Sequence, residues 1–271
     1  MPVKLTSYFL LLFALPWVAI WAQEDQMAKV KGGVYTPLYG ADSTAVGVSD
    51  FYMDLYPVTN SEYLAFVNDH PEWKKSRVKK LFADGLYLRN WESDTKLGKK
   101  VVPNAPVTNV SWFAAKKYCE CQGKRLPTMD EWEFAARADE TMADARNKPG
   151  YNKYILGWYE APHTFKNPIG STFKNYYGIY DLHGLVWEWT SDFNSVLLSG
   201  ESRKGNDEDA NLFCGSAAIG ATDLMNYAAF MRYAFRASIK ANYTVQNLGF
   251  RCAKNVIDNK GEQELSFNSM K

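Results

Sequence analysis

Apolar and polar positions alternate in short bursts along the first part of the chain. The stretch KVKGGVYTPLYGADSTAVGVSDFYMDLYPVTN, residues 29–60, mixes β-branched and aromatic residues with glycine turns, which predicts several short strands and no helix. Helical spacing follows in three places. Thr59 with Glu62 three residues later makes a capping-box pattern ahead of Tyr63, Leu64 and Phe66. Ser111 can cap a second helix that ends near Gly123, and Thr128 with Glu131 caps a third that carries Trp132, Phe134, Ala135 and Ala136. Between the first two, residues 71–105 are lysine-rich and lack a long period, so they read as an irregular excursion. Residues 147–180 are rich in Pro, Gly, Asn and aromatics, which predicts loops and short strands. Residues 200–211, GESRKGNDEDAN, form a polar loop, and the text turns hydrophilic from about Asn255.

PVTN occurs twice, at 57–60 and 106–109, each time with an aromatic three residues past the asparagine. The flanks do not match, so the echo reads as one capping chemistry used twice rather than as a duplicated unit.

Composition narrows the fold. The chain has 271 residues, 46% of them hydrophobic, enough for one sizeable core. Nine Trp, 17 Tyr and 15 Phe suit a loop-rich domain pinned by aromatic anchors better than a helical bundle. Lys+Arg at 31 nearly cancels Asp+Glu at 30, so no global field recruits nucleic acid or an anionic membrane. No linker-like segment divides the chain after its first residues.

The opening MPVKLTSYFLLLFALPWVAIWAQED has an early lysine, an apolar run from Tyr8 to Ile20, and Ala22 before polar residues. This is the pattern of a secretory signal peptide over residues 1–22. The run is shorter than the roughly 20 apolar residues of a spanning helix and Pro16 interrupts it, which argues against a membrane anchor. The expectation is an exported protein, periplasmic or extracellular, with a single domain over residues 23–258, a polar tail over 259–271 and no membrane span in the mature chain. Four cysteines, Cys119, Cys121, Cys214 and Cys252, then favour disulfides. Cys119 and Cys121 fall on one predicted helix, about 200° apart, so each is expected to pair with one of the two distant cysteines.

Four separated stretches, KRLPTMDEWEFAAR (124–137), YDLHGLVWEWTSD (180–192), MRYAFRAS (231–238) and NLGFRCAK (247–254), resemble in order and spacing the formylglycine-generating enzyme family, also called sulfatase-modifying factors. The resemblance spans residues 28–254. It implies an α+β fold related to C-type lectins, a complex mixed domain with low regular secondary structure. It also implies a structural calcium ion in the second stretch, held by the side chains of Asp181 and Glu188 and the carbonyls of Leu182, Gly184 and Val186. Calcium takes 6 to 8 oxygen ligands in flexible geometry, and such a loop can supply them. The family's long-range disulfide transfers to Cys119 and Cys252, which leaves Cys121 and Cys214 as a second pair or as free thiols.

The family's oxidase activity uses copper held by two active-site cysteines. With the register fixed on Arg236–Ser238 and NLGFRC, those positions carry Ala228 and Tyr233, so the resemblance implies the scaffold without its copper site. Gly215 and Ser216, just after Cys214, stand where the family has a GGS-like strand. A second branch binds non-haem iron through histidines, but His70, His163 and His183 lack the spacing of a ligand set. His183 reads as a surface or hydrogen-bonding residue. No P-loop, nucleophile elbow or HExxH motif is present. The expected function is a non-catalytic accessory or binding protein. Its groove would include Trp187, Tyr233 and Arg236, and its partner would be a protein or peptide, a periplasmic redox enzyme such as a copper nitrite reductase among the candidates. The alternative is an active oxidoreductase in which Cys214 and Cys121 form a rearranged copper site.

Overall fold

The computed structural model describes residues 26–37, 44–194 and 224–256. The expected signal peptide, the 200–211 loop, Cys214 with Gly215 and Ser216, and the 259–271 tail lie outside the described residues.

Four short strands open the fold, as the alternation predicts: β1 (Met27–Val30), β2 (Gly33–Tyr35), β3 (Val46–Val48) and β4 (Phe51–Asp54). Three helices follow at the predicted caps. They are α1 (Asn60–Asp69), α2 (Trp112–Cys121) and α3 (Met129–Ala136). Thr59 and Thr128 each close a full capping box with the glutamate three residues on, and the Ser111 side chain accepts the Ala114 N–H. Helix α4 (Tyr151–Glu160) and a short strand β5 (Trp187–Glu188) come next, then α5 (Leu224–Ser238), β6 (Leu248–Gly249) and β7 (Ala253–Asn255).

Strand β4 is central in an antiparallel sheet ordered β1-β4-β7, so the start and end of the described chain are hydrogen-bonded to the same strand. β5 and β6 pair in parallel, with Trp187 opposite Leu248 and Glu188 opposite Gly249. Regular secondary structure is sparse, and the mixed α and β class is the one expected.

The two PVTN segments lie beside one another, with an antiparallel bridge between Thr59 and Pro106. Their conformations differ: Asn60 opens α1, whereas Asn109 has φ +56° and Ser111 caps the helix two residues later. This fits capping chemistry used twice. Residues 71–105 have no long regular element, yet Trp73, Tyr87, Leu88 and Trp91 from this excursion are buried against Tyr63, Tyr118 and Phe250 in the main core. The Tyr63 and Tyr87 hydroxyls, 2.7 Å apart, satisfy each other inside it.

Helix α4 corrects the reading of 147–180 as loops and short strands. Gly157 and the tyrosines give this stretch weak helix propensity. Tyr151 and Ile155, one turn apart, nevertheless bury one face against Ala145 and Ala228 of α5. Tertiary packing overrides propensity here.

Candidate functional site

The four family-like stretches meet in the interior between α3, α5 and the β5–β6 ladder. On α5, a stripe of positions three and four apart, Ala228, Ala229, Arg232, Tyr233 and Arg236, is buried. Two arginines on a buried face need a counter-charge, and α3 provides it. Arg232 Nε donates to Glu133 Oε1 and Oε2 at 2.9 and 3.0 Å, and its Nη2 donates to Oε2 at 2.6 Å. Arg236 Nη1 donates to Oε1 at 2.8 Å. Burial alone raises the Glu133 carboxyl, but the two guanidiniums outweigh it and hold the group at about 2. Both arginines also lie over the Trp132 ring, with guanidinium carbons 4.8 Å (Arg236) and 5.8 Å (Arg232) from its centroid.

A neutral relay continues from Arg232. Its Nη1 donates to the Tyr159 hydroxyl at 3.0 Å, that hydroxyl lies 2.9 Å from His183 Nδ1, and His183 Nε2 lies 2.8 Å from the Ala136 carbonyl. A carbonyl only accepts, so Nε2 carries the proton and Tyr159 donates to Nδ1. Burial, with Arg232 nearby, pushes His183 down to about 3, which keeps the ring neutral. Of the two roles expected for His183, hydrogen bonding holds; the ring is buried, not at the surface.

Glu188 belongs to a second buried pair. Arg251 Nε and Nη2 reach its oxygens at 2.8–3.0 Å, Trp132 Nε1 donates to Oε2 at 2.8 Å, and the side chains of both ion-pair partners are fully buried. Arg251 also donates to the carbonyls of Asp54, Leu55 and Tyr180, which ties the central strand to the loop before β5. Asp181, at φ +60°, accepts from the Gly170 N–H on one oxygen and from the Thr172 N–H and hydroxyl on the other.

These contacts bear on the expected calcium ligands. Leu182, Gly184, Val186 and Glu188 line one cavity of about 120 Å³, but Asp181 does not. Each carboxylate oxygen already accepts protein N–H or O–H groups, and a cation at Glu188 would face the Arg251 guanidinium bonded to the same oxygens. Arg236 stands in the wall of the same cavity. No cluster of three or more His, Cys, Asp or Glu suited to a metal occurs among the described residues. Arg236 and Arg251 thus stand beside Glu188 and the three backbone segments that the resemblance offers to calcium.

The expected groove is split in the same way. Trp187 and Arg236 line the 120 Å³ cavity together, and Trp187 stacks on Phe235 with centroids 5.0 Å apart. Tyr233 lines a separate cavity of about 30 Å³ with Ala228, Arg232 and Glu133. Ala228 and Tyr233, the positions that match the copper cysteines, are both on α5. Positions five apart on a helix are offset by about 140° and roughly 7.5 Å, so ligands there would not meet on one ion.

Cys119 is bonded to Cys252, as the resemblance implied, with Cα atoms 5.6 Å apart. Cys121, two residues on, faces outward with a free, exposed thiol. Sequence reasoning missed Glu133, Arg232, Tyr159 and Arg251. An available signal was the Arg232–Arg236 spacing of four on the same face as Ala228 and Ala229.

The family model of the sulfatase-modifying factor enzyme 1-like domain matches residues 19–256. The formylglycine-generating enzyme of Bos taurus is 30% identical over 289 residues, covering 87% of this chain and 76% of that protein. The inactive C-alpha-formylglycine-generating enzyme 2 of Bos taurus is 30% identical over 246 residues, covering 77% of this chain and 78% of that one. Among solved structures, PvdO from Pseudomonas aeruginosa aligns with a TM-score of 0.45 at 17% identity, covering 85% of this chain and 94% of that one. With its four motifs joined around Glu133 and Glu188, and a family match over nearly its whole length, the chain belongs to the sulfatase-modifying factor enzyme 1-like family.

Proposed function

We propose that this chain is a non-catalytic member of its family, exported and acting as an accessory protein that presents the surface beside Trp187 to a protein or peptide partner. The observation that carries the reading is α5. Where the resemblance requires two thiolates, the helix has Ala228 and Tyr233, and its buried arginines pair with Glu133, Arg232 also with Tyr159. An alanine supplies no ligand, and a phenol is a hard donor poorly matched to copper(I). Burial also raises the Tyr233 phenol, which keeps it protonated. An inactive relative of similar length supports the same direction.

Incubation with a cysteine peptide of the sulfatase type, copper, oxygen and reductant is expected to leave the peptide mass unchanged. Turnover that vanishes in Cys214→Ser would overturn this reading in favour of a copper site at that thiol. Export is supported by the disulfide, a bond favoured in oxidising compartments. Mass spectrometry of the secreted or periplasmic protein is expected to find Gln23 at its N-terminus. A chain found only inside the cell with residues 1–22 retained would remove the export component.

A further inference from the structure

The 120 Å³ cavity beneath Trp187 has Arg236 and Trp158 in its wall. Arg251 is matched by Glu188, whereas the guanidiniums of Arg232 and Arg236 share the single carboxylate of Glu133; the oxygens of Asp181, also buried, are bound by the Gly170 and Thr172 N–H groups and the Thr172 hydroxyl. The Glu133 cluster therefore carries one net positive charge, and Arg236 is the less tightly held of its two arginines. Arg232 and Arg251 each grip a carboxylate through two nitrogens, whereas Arg236 uses Nη1 alone, on an oxygen it shares with Arg232. Among the described residues, Arg236 Nε and Nη2 have no hydrogen-bond partner, and the residue lines the cavity.

A second, independent observation comes from α4. The indole N–H of Trp158, in the wall of the same cavity, is buried with no acceptor. A buried donor left unsatisfied is costly, and its presence in a cavity wall marks a place for an acceptor to bind. Glu188, the one carboxylate in that wall, is already engaged by Arg251 and Trp132.

We propose that this cavity receives a carboxylate, held by Arg236 and the Trp158 indole N–H between the rings of Trp187, Tyr159 and Phe165. Charge and donor count call for an anion, and planar guanidinium geometry suits a carboxyl group. Size limits the group that the carboxyl can carry. A cavity of 150 Å³ holds a benzene ring in another protein, so about 120 Å³ takes a short acid or the carboxyl head of a longer ligand. The aromatic walls lower the local dielectric, which strengthens the ion pair. The acid is either a free small molecule or a side-chain or terminal carboxyl of a partner. The second source rests on the surface beside Trp187 being the partner contact.

The test uses the purified full chain at neutral pH, followed by tryptophan fluorescence and thermal melting. Propionate and phenylacetate are titrated against their amides, propionamide and phenylacetamide, and against calcium chloride. Saturable binding of the acids is expected, with the amides weaker by about ten-fold or more, the usual loss for a charge-assisted hydrogen bond. Arg236→Lys, which keeps a charge beside Glu133, is expected to weaken the acids by about the same factor, because lysine lacks the planar fork. Trp158→Phe removes the indole N–H together with part of the ring and leaves both ion pairs intact; it is expected to weaken the acids, so it reports on the site even if the arginine variant is unstable. Equal binding of acids and amides overturns the proposal, as does no saturable response to either acid. Stabilisation by calcium that persists in Arg236→Lys also overturns it. A short peptide with a free C-terminal carboxylate, compared with its C-terminal amide, identifies the source. Tighter binding than propionate assigns the site to a partner chain, and equal binding assigns it to a free acid. Turnover of the sulfatase-type peptide would defeat the non-catalytic reading and leave this result standing.

Discussion

Replacing Glu133 by glutamine keeps the size of the side chain and removes the charge shared by two arginines. Four hydrogen bonds of 2.6–3.0 Å from Arg232 and Arg236 converge on that carboxylate. They hold it at about 2 against an ordinary 4.5, although burial pulls the other way. A difference of that size corresponds to about 3 kcal/mol of folding free energy at neutral pH. An independent figure agrees: removing one member of a buried pair costs about 3–5 kcal/mol, because the remaining charge is left in the interior. The expected loss for Glu133→Gln is therefore about 3–4 kcal/mol at pH 7. The folded carboxyl titrates below the unfolded one. Its contribution is complete above about 4.5 and fades as the pH falls through about 2. Urea unfolding followed by tryptophan fluorescence, with the disulfide intact, should show wild type losing stability between about pH 5 and pH 2 and the variant losing much less. Adding Arg232→Met to Glu133→Gln should recover part of the loss by removing an orphaned guanidinium. A variant within about 1 kcal/mol of wild type at pH 7, or one with the full acid slope, would refute the argument that Glu133 neutralises the α5 arginines.

Three further outcomes are expected from other parts of the structure. The double variant Cys119→Ser/Cys252→Ser opens a loop with a sequence separation of 133 and is expected to lose about 4–5 kcal/mol in a chain-entropy account, checked by the same urea titration. Gly184→Ala places a Cβ 2.8 Å from Trp158 Cε3 at a backbone φ of +113°, and a melting-temperature drop equivalent to about 1–3 kcal/mol is expected; an unchanged melt would mean that Trp158 yields freely. A calcium chelator is expected to leave the melt unchanged, because Glu188 is neutralised by Arg251; a drop reversed by calcium alone would show that the loop holds a cation after all.

Much of the frame could be read from local chemistry. The three caps at Thr59, Ser111 and Thr128 depend on residues within one turn of each other, so the sequence displays them directly. Helix α4 was illegible for the opposite reason: its support is Ala228, far along the chain, and nothing within YNKYILGWYE announces it. The disulfide came from the resemblance, since helix geometry alone left both Cys119 and Cys121 open to the distant partners. In the site, Trp187 and Arg236 were found and do share a cavity. Tyr233 was grouped with them and faces another, because facing directions on α5 cannot be assigned until the helix itself is recognised. Nothing within the capped helix singles out Glu133. Its role requires two arginines about a hundred positions later, a pairing that no periodicity reports.

The sheet order β1-β4-β7 has a consequence for how the chain assembles. Strand β4 needs hydrogen bonds on both edges, and one edge is supplied by residues 253–255. Cys119 likewise waits for Cys252, and Glu188 for Arg251. The central sheet, the covalent link and the deepest ion pair thus all depend on one short stretch near the end of the domain. A ribosome delivering the chain from its first residue would hold most of the core without its closing partners, with aromatic surface exposed, until that stretch emerged. Folding should therefore be slow and governed by long-range pairing. A stop codon only a few positions before residue 251 would remove the last step of assembly rather than trim a terminus.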